Sequence, residues 1–111
     1  MKEEDYLLDA EDFAKAARRT SRYVVVLQNA FKAVEFAVSA WALKAKKPLP
    51  RDHYQSENLA YLISKNFGKK FTELKHLYLG SYKRRDGEDA KRALKLMEEM
   101  LNEIKNRIAS R

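Results

Sequence analysis

Apolar and polar positions recur along this chain with a helical period, and the longest apolar run sets the plan of the molecule. Residues 22–46 read RYVVVLQNAFKAVEFAVSAWALKAK. Most of the circumference is apolar, which predicts a central helix covered by others on nearly every side. The interruptions are Gln28, Asn29, Lys32, Glu35 and Ser39; Gln28, Lys32, Glu35 and Ser39 follow one another at four, three and four residues, so they form one polar stripe. Val24, Val25 and Val26 individually suit a strand. No second β-like run exists to pair with them, and a lone strand leaves its backbone N–H and C=O groups without partners. The triple valine is therefore read as helix.

The flanking segments carry the narrower stripes of helices that bury one face. From about Glu3 to Arg19, the residues Tyr6, Ala10, Phe13 and Ala17 recur at helical spacing, with Leu7 and Ala14 beside them. Acids fill the first turns and Arg18–Arg19 the last, as the helix dipole favours. Thr20-Ser21 then breaks and recaps the chain. Lys47 to His53 is a loop, because Pro48 and Pro50 cannot continue a helix. A third helix is expected over about Asp52–Asn66, with Leu59, Leu62 and Ile63 inward and Gly68 just past its end. A fourth is expected over about Phe71–Arg85, using Phe71, Leu74, Tyr78 and Tyr82. Gly80 lies inside it at a cost of up to about 1 kcal/mol, and Asp86-Gly87 ends it. A fifth, about Glu88 to Ala109, has the cleanest amphipathic pattern: Ala93, Met97, Met100, Ile104 and Ile108, with Leu94 and Leu101. The sum is an all-α fold, an up-and-down helical bundle of about five helices in a single domain over residues 1–111.

Composition narrows the chemistry. The chain has no Cys, which removes disulfides, thiolate metal sites and Cys nucleophiles, and its two His are too few for a His-built metal cage. Gly68, Gly80 and Gly87 are isolated, so there is no Gly-rich phosphate loop; no cofactor is expected. Lys32 and Glu35 near the middle of the long helix argue against a membrane span. The acidic N-terminus lacks the apolar core of a signal peptide, and a cytoplasmic location is expected. The net charge of +7 is uneven: residues 1–12 hold one Lys and six acids, which leaves +12 on the rest. A basic body attracts polyanions in a salt-dependent way.

The order of features is a helix, a long apolar helix rich in Ala and aromatics, a Pro-containing loop with a nearby His, a helix ending in Phe-Gly, and a helix–Asp-Gly–helix hairpin. It is carried by Ala30–Trp41 (AFKAVEFAVSAW), Pro50–His53 (PRDH) and Leu77–Met97. In this order the chain from Ser21 onward resembles the HEPN family of small prokaryotic helical domains. The resemblance implies a bundle that usually forms a homodimer, often beside a nucleotidyltransferase-type protein partner, and often an RNase or an RNA-binding module. RNase members carry an Arg a few residues before a His on a late helix, and this chain departs from that pattern. His76 has no Arg in the six positions before it, the nearby basic residues being Lys69, Lys70 and Lys75; Arg51 stands only two residues before His53, and no His follows Arg84 and Arg85. The resemblance therefore implies binding more than cleavage.

The candidate site residues follow from charge and position. Arg18, Arg19 and Arg22 flank the first helix junction. Lys83, Arg84 and Arg85 stand at the C-terminal end of the fourth helix, where they also compensate its dipole. If the two junctions share an end of the bundle, these cations make one basic rim able to hold RNA or a nucleotide. His53, at the start of the third helix, is either a capping or exposed polar residue or a phosphate contact at a helix N-terminus. His76 reads as a helix-surface residue. Lys32 and Glu35 are spaced to pair on one face, and their stripe is either a solvated strip or a patch facing a cleft or a dimer mate. Tyr54, Tyr61 and Tyr82 are the tyrosines placed to stack on bases if exposed.

Overall fold

A computed structural model describes residues 2–80 and 87–110. Among them are α1 (Glu3–Arg19), α2 (Tyr23–Lys44), α3 (His53–Ile63), α4 (Lys65–Leu79) and α5 (Gly87–Ala109), and no strand. Helix α1 occupies the expected span. Its third residue, Asp5, accepts from the Lys2 N–H (2.8 Å), which satisfies one donor that the helix start leaves open.

Helix α2 contacts all four of the others, and no other helix does so. Its Val26, Leu27, Ala30, Phe31, Ala33, Val34, Ala37, Val38, Ala40 and Ala42 are buried. The triple valine is accordingly the first turn of the central helix. Alanines supply close approach on both sides of the α1–α2 contact: Ala10, Ala14 and Ala17 of α1 are no more than 1 % exposed. Ion pairs order the remaining elements. Arg18–Glu98 and Lys105–Glu11 set α1 antiparallel to α5, and Lys70–Glu99 with Arg92–Glu73 set α4 antiparallel to α5. Arg92 grips Glu73 with two bonds, Nε at 2.6 Å and a terminal nitrogen at 2.8 Å.

The third and fourth helices differ from expectation in their boundary. The break falls at Ser64, not after Asn66. Ser64 closes α3 through its N–H to Ala60 O and opens α4 by accepting from the Phe67 N–H (3.0 Å). An extended serine that serves both helices turns the chain within one residue. Gly68 therefore lies inside α4 and not beyond α3. Gly80 caps the C-terminus of α4 and is not interior to it. Leu59 and Ile63 are buried as expected, but Leu62 is 62 % exposed. With α3 reaching only to Ile63, Leu62 faces away from the bundle. Phe67 and Leu96 are fully buried core residues outside the expected set. Tyr82 and Asp86 lie outside the described residues. Among the described residues no helix is long and apolar enough to cross a membrane.

Candidate functional site

Two places collect the candidate residues. The first is the α1–α2 junction. Arg18 is not free there: its Nε donates to Glu98 Oε1 (2.8 Å), tying the end of α1 to α5. Arg19 and Arg22 are exposed, and neither side chain has a carboxylate partner among the described residues. The Arg22 N–H donates to Thr20 Oγ1 (3.2 Å), which holds the short link between the helices. A Cβ built on Gly87 would lie 3.2 Å from Tyr23 Oη, so the start of α5 sits beside the start of α2. Lys83, Arg84 and Arg85 lie outside the described residues.

Eight other described cations are neutralised. Arg18, Lys44, Lys70, Lys75, Lys91, Arg92, Lys105 and Arg107 each stand against a carboxylate. The pairing of Lys75 is the most enclosed. Its ammonium donates to Glu57 Oε1 (2.7 Å) and Thr72 donates to the other carboxylate oxygen. These bonds hold the Glu57 carboxyl below its ordinary value, Lys75 contributing most and Thr72 next, against a burial effect of opposite sign.

The second place is a cleft of about 370 Å³ between the polar stripe of α2 and the start of α3. Lys32, Glu35 and Ser39 line one wall, Pro50, Arg51, Asp52, His53 and Ser56 the other, and Phe13 and Phe36 the floor. The stripe on α2 thus faces a cleft, one of the two readings open to it. Glu35 does not pair with Lys32. It accepts instead from His53, with Nδ1 2.7 Å from Oε2. An ionised carboxylate can only accept, so the ring proton belongs on Nδ1 and the lone pair of a neutral ring on Nε2. The ring is also packed edge-on to Phe31 (5.0 Å between centroids) and to Tyr78 (5.7 Å).

Capping at α3 belongs to Asp52, not to His53. Asp52 Oδ1 accepts from the Gln55 N–H (2.8 Å), and Gln55 Oε1 accepts from the Arg51 N–H (2.8 Å). This reciprocal pair fixes the loop backbone just before the helix and so fixes where His53 stands. Phe13 and Phe36 stack with centroids 5.3 Å apart, and the Lys32 ammonium lies over Phe13 at 5.6 Å. The sequence reading missed Arg51, Ser56 and the phenylalanine floor as members of a site. The available signal was the polar stripe on an otherwise apolar helix, which marks a wall without saying what stands opposite.

His76 is exposed on α4, as expected, and no three His, Asp or Glu among the described residues converge where a metal ion could sit. Tyr54 and Tyr61 are exposed on α3. No family model, curated protein or solved structure matches the chain.

Proposed function

We propose that the chain is a HEPN-like binding module that holds RNA or a nucleotide by phosphate contacts at the α1–α2 junction. The observation that carries this reading is that Arg19 and Arg22 both stand exposed at one helix junction without a carboxylate partner among the described residues. Two arginines exposed at one helix junction offer forked donors that match phosphate oxygens. The start of α5 stands against the ring of Tyr23, the residue after Arg22, and the sequence that precedes it holds Lys83, Arg84 and Arg85. Binding of a fluorescent single-stranded RNA, measured by anisotropy across a salt series, tests the reading. Affinity is expected to fall as salt rises, and Arg19→Gln with Arg22→Gln to lower the slope of log K against log salt by about 1.4, roughly 0.7 per lost phosphate contact on a single strand. Binding with no salt slope, or a slope unchanged in the double variant, sinks it.

A second reading, a protein-interaction module acting as a homodimer or with a nucleotidyltransferase-type partner, is favoured by large apolar side chains left exposed on α3. Tyr54, Tyr61 and Leu62 are 73 %, 44 % and 62 % exposed there. Light scattering on the purified chain is expected to give a dimer mass that Leu62→Lys converts to a monomer. A wild-type monomer at high concentration that also fails to co-purify with a co-expressed nucleotidyltransferase counts against this reading.

A further inference from the structure

The cleft between α2 and α3 has a charge arrangement that neither reading uses. Its two acids are engaged within the protein: Glu35 accepts from His53 at 2.7 Å, and Asp52 caps α3 through Gln55 at 2.8 Å. Its two permanent cations are not, since neither Lys32 nor Arg51 has a carboxylate partner among the described residues. The acids keep their charge but each already has an oxygen held by a donor within the protein, whereas the Lys32 and Arg51 donors are open, so an anion seated between the two cations meets unoccupied charged donors. The floor sets the rest of the ligand. Phe13 and Phe36 are stacked and half-buried, and the Lys32 ammonium sits 5.6 Å above the Phe13 ring, so a positive charge and an aromatic surface meet in one place. Ser56, only 3 % exposed, adds a sheltered hydroxyl on the α3 wall. The volume of about 370 Å³ lies near the small end of ligand cavities.

We propose that this cleft is a binding site for a small aromatic anion, with the ring on Phe13 and Phe36 and the anionic group between Lys32 and Arg51. His53 is a positioning residue as well as a contact. Glu35 fixes its Nδ1–H inward, which leaves Nε2 as the ring nitrogen available to a ligand hydroxyl or acid proton. The anionic group is a carboxylate or a phosphate, since a guanidinium and an ammonium recognise both.

The test is an amide-shift NMR titration of the full chain with benzoate, phenyl phosphate, benzyl alcohol and inorganic phosphate. The aryl anions are expected to give saturable shifts confined to residues 32–39 and 51–56, and the stronger of the two identifies the anionic group. Benzyl alcohol and inorganic phosphate, each lacking half of the recognition, are expected to bind at least about tenfold more weakly. Lys32→Gln and Arg51→Gln each weaken the aryl anion by about tenfold; both side chains are exposed and make no ion pair among the described residues, so the fold should survive, which circular dichroism checks. Arg19→Gln with Arg22→Gln leaves the titration unchanged, so failure here is separate from failure of the RNA reading. The proposal is overturned if the shifts do not saturate, if benzyl alcohol matches the anions, or if the Lys32→Gln, Arg51→Gln double variant binds as wild type does.

Discussion

Lys46 is the described residue other than glycine held at a positive φ, 59°. The reason is local. Its N–H donates to Leu43 O (3.2 Å) and the Lys47 N–H to Ala42 O (2.8 Å), the two reversed bonds that close a helix C-terminus and require a left-handed residue between them. A side chain there costs about 1 kcal/mol or somewhat more. Lys46→Gly is expected to stabilise the protein by about 1 kcal/mol in urea denaturation, with the m-value unchanged. Glu57 sets a dependence on pH. Because its carboxyl is held below the ordinary 4.5, its contribution is complete above that value and is lost as pH falls through the lowered one. Wild type should therefore exceed Glu57→Gln by about 1–3 kcal/mol at pH 7, and the gap should narrow as the pH is taken below 4.5, read from urea midpoints at each pH.

At the scale of elements, the α3–α4 hairpin turns on Gly68. A Cβ there would lie 2.3 Å from Tyr61 Cδ1, so the glycine is required by the neighbouring ring and not by backbone conformation. Gly68→Ala is expected to destabilise by about 1–3 kcal/mol as the Tyr61 ring is forced out and its bond to Thr72 (3.2 Å) is lost. In a Tyr61→Ala background the same change should stabilise by up to about 1 kcal/mol, because only helix propensity remains. A double-mutant cycle without that reversal of sign would falsify the packing account. This glycine also shows what was legible in the sequence and what was not. Helix α1 was readable to both ends because its acids, arginines and Thr20 mark them. The α3–α4 boundary was not: Ser64 carries the turn alone, with no proline near it, while Gly68 four residues on imitates a terminator. The Glu35–His53 pair joins residues 18 apart on separate elements, so periodicity exposed the stripe on α2 but not its partner. Lys32 lay one turn from Glu35 and offered the nearer, wrong partner.

For the molecule as a whole, the polar ends and the core are divided among different helices. Acid–base pairs on the surface link α1 to α5 and α4 to α5, while an aromatic cluster of buried Phe31 and Phe71 with half-buried Tyr78 and His53 ties α2 to the hairpin. Phe31 is fully buried at the centre of that cluster, and Phe31→Ala should cost about 3–5 kcal/mol by urea denaturation. Neither α1 nor α5 touches α3, and α1 does not touch α4. The α3–α4 unit can therefore detach while α1 stays docked, and α1 can detach while the hairpin stays. Native-state deuterium uptake should report that hierarchy: amides of residues 26–42 exchange only when the entire chain unfolds, whereas those of α1 and of α3–α4 are released earlier, in two separately tunable groups.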